Sequence, residues 1–108
     1  VDNKGTLEMC GGTIAQLYED MGGTVHRYGK PYDPIYSNII DTLKIQSPKK
    51  VLAIGDSFNH DILGAMNQGF DSLFIGNGIH RSDIKDSERL KWYLSQFKPK
   101  YYQFMLKF

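Results

Sequence analysis

Two aspartates, Asp56 and Asp61, have the types and spacing best suited to chemistry in this 108-residue chain. The apolar run at residues 51–54 predicts a strand buried on both faces, and Gly55 allows a turn directly after it. Asp56 then lies just past the carboxyl end of that strand, where open α/β sheets place their ligand sites. Asp61 is predicted to open an amphipathic helix, where a carboxylate complements the helix dipole. Two carboxylates on one loop suit a hard cation such as Mg²⁺.

A lysine, Lys30, precedes this loop within a Gly-Lys-Pro tripeptide. Residues 24–28 alternate in polarity and include β-branched residues, which predicts a short strand that delivers Lys30 to the sheet edge. Asp33 is followed by proline, a pair that predicts a helix start with Asp33 as the N-cap. The side chains expected on the buried face of this helix are Ile35, Ile39, Ile40 and Leu43.

The other elements follow from periodicity and from the helix-breaking residues. Apolar positions at helical spacing predict a helix over residues 11–21, which two glycines then end. Residues 71–75 predict a second buried strand, and residues 83–97 a helix that proline ends. Residues 101–106 predict a final strand or short helix. The helix after Asp61 is expected to turn four side chains toward the sheet: Ile62, Leu63, Ala65 and Met66.

Taken together, GKP, an intervening helix and the run GDSFNHDILGAMNQGF resemble the haloacid dehalogenase (HAD) superfamily of phosphohydrolases. The motif order is most similar to subclass IIA, the NagD-like and nitrophenyl-phosphatase-like enzymes, whose cap is inserted before the GKP lysine. The resemblance covers about residues 11–78. It implies an α/β fold: residues 24–108 would form the parallel-sheet C-terminal half of a Rossmann-like HAD core. Residues 1–23 would be the C-terminal remnant of the cap domain.

The resemblance also implies roles for individual residues in a Mg²⁺-dependent reaction that forms an aspartyl-phosphate on a small phosphorylated metabolite. Lys30 would stabilise the nucleophile and the bound phosphate. Asp56 would bind Mg²⁺, and Asp61 would act through a metal-bound water or by orienting the lysine. Ser57 and Asn59 could hold waters on the metal by hydrogen bonds. No organic cofactor is implied.

The family's nucleophile motif, D-x-D-G-(T/V), does not occur in this chain. The family's motif order places it before Val1, so we expect this chain to be the C-terminal part of a longer enzyme and inactive alone. The absent nucleophile strand would neighbour residues 51–55, which would leave an apolar edge open to the upstream part of the protein or to an oligomer. The alternative is a non-catalytic scaffold or regulatory protein with a degenerate HAD fold.

Composition excludes several other classes of protein. The net charge of +1 gives no basic field for nucleic acid, and no apolar run approaches the roughly 18 residues of a membrane span. One cysteine, Cys10, excludes an internal disulfide and favours the cytoplasm; we expect its thiol to be buried. The glycines around Asn77 do not continue as a G-x-G-x-x-G nucleotide motif. A receiver-type signalling domain would need the acidic pair and the lysine in the opposite order.

The three histidines are expected to be structural or incidental. His60 lies between the two aspartates, but with no cysteine or second histidine at ligand spacing it does not predict a zinc site. His26 and His80 are predicted to be structural, although His80 follows a glycine-containing loop on the same edge of the sheet as Asp56.

Overall fold

The computed structural model describes residues 10–107. These residues form four α-helices, three strands and two 3-10 turns, which lie at Pro48–Lys50 and Asp83–Lys85. None of the helices in this described part is long and apolar enough to cross a membrane. In chain order the elements are α1 (Gly11–Asp20), α2 (Asp33–Leu43), β1 (Leu52–Gly55), a π-helical turn (Phe58–Ile62) that continues into α3 (Leu63–Gln68), β2 (Asp71–Ile75), α4 (Ser87–Phe97) and β3 (Tyr101–Gln103).

The three strands form one parallel sheet in the order β1-β2-β3. Leu52 is paired with Asp71 at the start of β1, and Leu73 with Tyr101 at the start of β3. Because the strands are parallel, the loops after β1 and β2 leave the sheet at the same edge. This architecture confirms the predicted α/β class, and it brings the loop containing Asp56 beside the loop that follows β2.

The core lies between β2, the π-helical turn and α4. Phe58 is fully buried, and its ring stacks on Phe74 of β2 with centroids 3.9 Å apart and on Tyr93 of α4 at 4.5 Å. Ile62 and Ile84 complete the buried cluster. The side chains of α4 that pack against this cluster are Leu90, Tyr93, Leu94 and Phe97. Phe58, from the loop between the two aspartates, is therefore also the centre of the core.

Strand β1 forms where the sequence predicts it, but it is not buried on both faces. Leu52 and Ile54 are each 46% exposed, and β1 is an edge strand of the sheet that the described residues form. An apolar run shows that a strand is suited to burial, but the run does not supply the surface that covers it. The described part of the chain thus has an open apolar edge at β1.

The strand predicted at residues 24–28 is absent: these residues have no regular structure. Residues 24–28 pair with no strand among residues 10–107, although the outer edge of β1 is open. The alternation of their side chains was therefore misleading, because β propensity takes effect only when a neighbouring strand is present.

Helix α2 also differs from prediction in which side chains it buries. Tyr36 is its buried residue, because the Tyr36 hydroxyl reaches Gly64 of α3, where any Cβ would overlap it. The predicted buried face is wrong for three side chains, which are exposed: Ile35, Ile39 and Leu43. The N-cap is Tyr32 rather than Asp33, whose carboxylate instead accepts a hydrogen bond from Gln68 at 2.8 Å.

Two further burial predictions are wrong, whereas the predicted glycine-terminated ends of α1 and α3 are correct. Met66 is exposed, although its neighbours Ile62 and Ala65 are buried as expected, and the thiol-bearing Cys10 is exposed. Helix α1 ends at glycine with φ of +93° at Gly22, and α3 ends with φ of +73° at Gly69. Glycine adopts this left-handed backbone without the Cβ penalty.

We predict that Phe58→Ala lowers the free energy of unfolding by about 3–5 kcal/mol, since it removes a fully buried ring and leaves a cavity between β2 and α4. Urea unfolding of the intact protein measures this change. The control is Met21→Ala, which removes an 85% exposed side chain and should change stability by about 0.5 kcal/mol or less. Equal effects of the two substitutions would contradict the assigned core.

Candidate active site

An ion pair between Lys30 and Asp61 is the centre of the candidate site. The Lys30 ammonium donates to Asp61 Oδ1 across 31 residues of sequence. The Asp61 side chain is largely buried, whereas about half of the Lys30 side chain is exposed. The ion pair therefore holds the solvent-accessible ammonium of Lys30 above the carboxyl end of β1.

The second oxygen of Asp61 is also engaged. Asp61 Oδ2 accepts a hydrogen bond from the backbone N–H of Ser57 at 3.1 Å. Gly55 makes room for this carboxylate, because a Cβ at that position would overlap the Asp61 side chain. Asp61 does not open the helix as predicted: the helical segment begins at Phe58, and Ser57 is its N-cap. The early start places Asp61 one turn inside, facing back toward β1.

Asp56 is held by the loop after β2, and not by the contacts that hold Asp61. Its Oδ2 accepts a hydrogen bond from the backbone N–H of Ile79 at 3.0 Å. Gly78 lies so close that a Cβ there would overlap the Asp56 carboxylate. The other Asp56 oxygen has no hydrogen-bond partner among residues 10–107. A glycine thus borders each carboxylate, Gly55 beside Asp61 and Gly78 beside Asp56.

The two polar residues between the aspartates have different positions. Ser57 is buried, and its hydroxyl accepts from the His60 backbone N–H at 3.2 Å and contacts His60 Nδ1 at 2.8 Å. This hydroxyl caps the helical turn, and its contact with water on a metal stays a prediction. Asn59 is exposed beside Lys30 and remains available for that role.

A cleft of about 610 Å³ opens beside Lys30. Its walls come from α1, from the segment leading to Lys30 and from the π-helical turn. An ion pair of 2.9 Å between Arg27 and Glu19 joins the first two of these walls. The polar side chains that line the cleft are Gln16, His26, Arg27, Tyr28, Lys30, Tyr32, Asn59 and His60. None of them is acidic, so the cleft is suited to an anion.

The residues present fit a Mg²⁺ ion. Carboxylate oxygens are the protein ligands that Mg²⁺ prefers, and it commonly takes one or two of them together with water and phosphate oxygens. Asp56 offers one oxygen without a protein partner. Within residues 10–107 no three His, Cys, Asp or Glu side chains come together in one metal-binding group. With one carboxylate oxygen from this chain, most positions around such an ion would be left to other ligands.

The ion pair sets the charge of Lys30. Its hydrogen bond to Asp61 raises the pKa of Lys30 above the ordinary value of 10.5, against the opposing effect of partial burial. The ammonium is therefore charged at every physiological pH. The neighbouring Tyr36 hydroxyl also has a raised pKa, because burial disfavours the phenolate. Tyr36 is a neutral wall of the site at neutral pH.

Sequence reasoning missed the residues of the loop after β2 that support the aspartates. Gly78 and the Ile79 N–H contact Asp56 directly, and His80 accepts a hydrogen bond from the Phe58 backbone N–H at 3.2 Å. The position of this loop in the sequence was the available signal. A loop that follows one parallel strand lies beside the loop that follows the neighbouring strand. The contacts themselves join residues 22–23 apart, a range that local patterns do not report.

Comparison with known proteins identifies the family. The sequence profile of the HAD-hydrolase-like family matches residues 27–102. The chain therefore belongs to the HAD-like hydrolases, as the motifs predict.

Individual relatives agree with this family. A Schizosaccharomyces pombe protein, described as a cardiolipin synthase (CMP-forming)/mitochondrial hydrolase fusion protein, is 33% identical over 92 residues, which cover 68% of this chain and 16% of that protein. A haloacid dehalogenase-like hydrolase from Brucella suis 1330 is 33% identical, with a TM-score of 0.59 over 66% of this chain and 28% of its own.

A more distant structure shares the fold of nearly the whole chain. The p-nitrophenyl phosphatase from Archaeoglobus fulgidus superposes with a TM-score of 0.64 at 22% identity, over 88% of this chain and 35% of its own. The chain spans about a sixth of the length of the yeast relative and about a third of each of the two solved structures.

We predict that Asp61→Asn lowers the pKa of Lys30 relative to the wild type. The raised pKa means that the ammonium stabilises the fold fully below the pKa of an unfolded lysine, about 10.4, and that this contribution disappears as the pH rises through the raised value. Titration of ¹³C-labelled lysine by NMR measures the change. Asp41→Asn, an exposed carboxylate on α2, is the control and should leave the Lys30 titration unaltered.

We further predict that Gly78→Ala displaces the Asp56 carboxylate, because the new Cβ would occupy its position. Loss of the Ile79 hydrogen bond should speed exchange of that amide hydrogen about 10-fold, the equivalent of a bond of about 1–1.5 kcal/mol. Asn77→Ala, an exposed side chain in the same loop, is the matched control. An Ile79 exchange rate that is the same in both variants would refute the close approach.

Proposed function

We propose that this chain supplies the lysine and the metal-binding acids of a Mg²⁺-dependent phosphohydrolase that acts on small phosphorylated metabolites. The observation that carries the proposal is the Lys30–Asp61 ion pair, held on the same sheet edge as Asp56. Membership of the HAD-like hydrolases supports it, as does the likeness of the fold to a p-nitrophenyl phosphatase. The cleft without acidic side chains beside Lys30 is suited to a phosphate ester.

In the proposed reaction an aspartate carried by a segment outside this sequence attacks phosphorus. A carboxylate-oxygen–phosphorus bond forms while the bond to the leaving alcohol breaks, and the alcohol takes up a proton. Water then attacks the aspartyl-phosphate, which releases inorganic phosphate and restores the carboxylate. Both steps place negative charge on the equatorial phosphoryl oxygens, so fixed cations at this position lower the barrier.

The residues of this chain divide that work. Lys30, kept protonated by Asp61, neutralises charge on the phosphoryl group and on the nucleophile. Asp61 orients the lysine, since its two oxygens are occupied by Lys30 and by the Ser57 N–H. Asp56 would hold Mg²⁺ through its free oxygen, with Asn59 near enough to the cleft to bind water. When bound, Mg²⁺ supplies charge neutralisation and polarises the phosphoryl oxygens.

We also propose that residues 1–23 belong to a cap and residues 24–108 to the HAD core. Of this first segment, the described part is mostly α1, which has no buried residue and meets the rest through the Glu19–Arg27 pair at the rim of the cleft. The open edge of β1 would pair with the nucleophile strand, in the same protein or in an oligomer. The exposed, unpaired thiol of Cys10 suits the reducing cytoplasm.

We predict that, in the full-length protein, Asp56→Asn and Lys30→Met each lower Mg²⁺-dependent turnover of p-nitrophenyl phosphate by about 10²–10³-fold, because each removes a charge that faces the phosphoryl group. The fold should persist, since both side chains lie outside the core cluster. Steady-state kinetics and circular dichroism measure the two properties.

The matched controls are Asp41→Asn and Lys85→Met, which change exposed charges away from the site. Normal turnover in Asp56→Asn would reduce Asp56 to a turn residue and refute the proposal. A wild-type protein that binds Mg²⁺ but hydrolyses no phosphate ester would instead favour the non-catalytic scaffold.

A further inference from the structure

The loop after β2 contacts the aspartate loop at two points. The Ile79 N–H donates to Asp56, and one residue later His80 Nε2 accepts from the Phe58 N–H. The base of this loop is itself anchored to the last strand, because the Gly76 N–H donates to the Gln103 carbonyl at 2.9 Å. The loop after β2 is therefore a rigid support rather than a free connection.

His80 is buried, with 7% of its surface exposed, among aromatic rings. Its ring centroid lies 4.9 Å from that of Phe58 and 5.1 Å from that of Tyr93. A polar ring in such surroundings costs free energy unless its nitrogens find partners. Both do: Nε2 meets the Phe58 N–H, and Nδ1 lies 3.3 Å from Asp83 Oδ2.

These contacts determine which nitrogen carries the proton. A backbone N–H can only donate, so Nε2 must be unprotonated to accept from Phe58. The proton of the neutral ring then lies on Nδ1, which donates to Asp83. The ring is thus held at both ends in one orientation, with its lone pair directed at the aspartate loop.

The Phe58 N–H lies at the start of the turn that connects Asp56 to Asp61. It belongs to the first turn of a helical segment, whose N–H groups have no partner within the helix. Phe58 directly follows Ser57, whose own N–H holds Asp61, and comes two residues after Asp56. Fixing the Phe58 N–H therefore fixes the turn between the two aspartates, while the Ile79 N–H fixes the Asp56 carboxylate.

We propose that His80 is a positioning residue for the acidic loop: its Nε2 holds the Phe58 backbone and so fixes the turn that carries Asp56 and Asp61. His80 touches no part of the cleft itself. Its effect on Mg²⁺ binding and turnover rests on the proposed function, whereas its hold on the Phe58 backbone does not.

The test compares two variants of the full-length protein. His80→Phe retains an aromatic ring in the core but removes the acceptor, and His80→Gln offers a side-chain oxygen that can accept from the Phe58 N–H. In His80→Phe we expect Mg²⁺ affinity, measured by calorimetry, to fall about 10-fold and kcat to fall with little change in KM. His80→Gln should recover part of both losses. Asn77→Ala serves as the control in the same loop.

The wild-type protein provides an independent readout. ¹⁵N NMR of His80 should show a neutral ring protonated at Nδ1, and the Phe58 amide hydrogen should exchange slowly. A ring protonated at Nε2, or equal Mg²⁺ affinities in the wild type and a folded His80→Phe, would overturn the positioning role. If Asp56→Asn left turnover normal, the proposed function would fail, while the NMR result would still decide whether His80 holds the loop.

Discussion

The carboxylate of Asp61 is the constraint on which this site depends. Its two oxygens tie the GKP lysine to the backbone of the loop after β1, and they do so inside the space that Gly55 leaves open. This single side chain connects two parts of the chain that are 31 residues apart in sequence. The orientation of Lys30 at the side of the cleft follows from this contact.

The elements that the sequence predicts well are those defined by contacts within a short stretch. Strand β2 has the predicted bounds, and α1 and α3 end at the glycines that allow a left-handed backbone. The errors concern burial and pairing. Ile54 of β1, Ile39 of α2 and residues 24–28 have the composition of covered structure, yet residues 10–107 bury none of them. The apolar pattern of a segment indicates that it is suited to burial, but it does not indicate which other segment covers it.

The candidate site also has features that the sequence predicts and features that it does not. The spacing of Lys30, Asp56 and Asp61 on a strand–loop–helix frame was enough to predict that they share one edge of the sheet. The structure brings Lys30 and Asp61 into contact and places Asp56 in the same loop. The cap formed by Ser57 and the contacts from His80 could not be predicted, because they depend on how a helix begins and how two loops meet.

The pairing of the strands has a consequence for how this segment folds. Leu52 and Asp71, paired in β1 and β2, are 19 residues apart, and Leu73 and Tyr101, paired in β2 and β3, are 28 apart. Closing such short loops costs little chain entropy, and the aromatic core is drawn from the same stretch. The sheet and its core can thus assemble from neighbouring sequence alone, while the outer edge of β1 is still open.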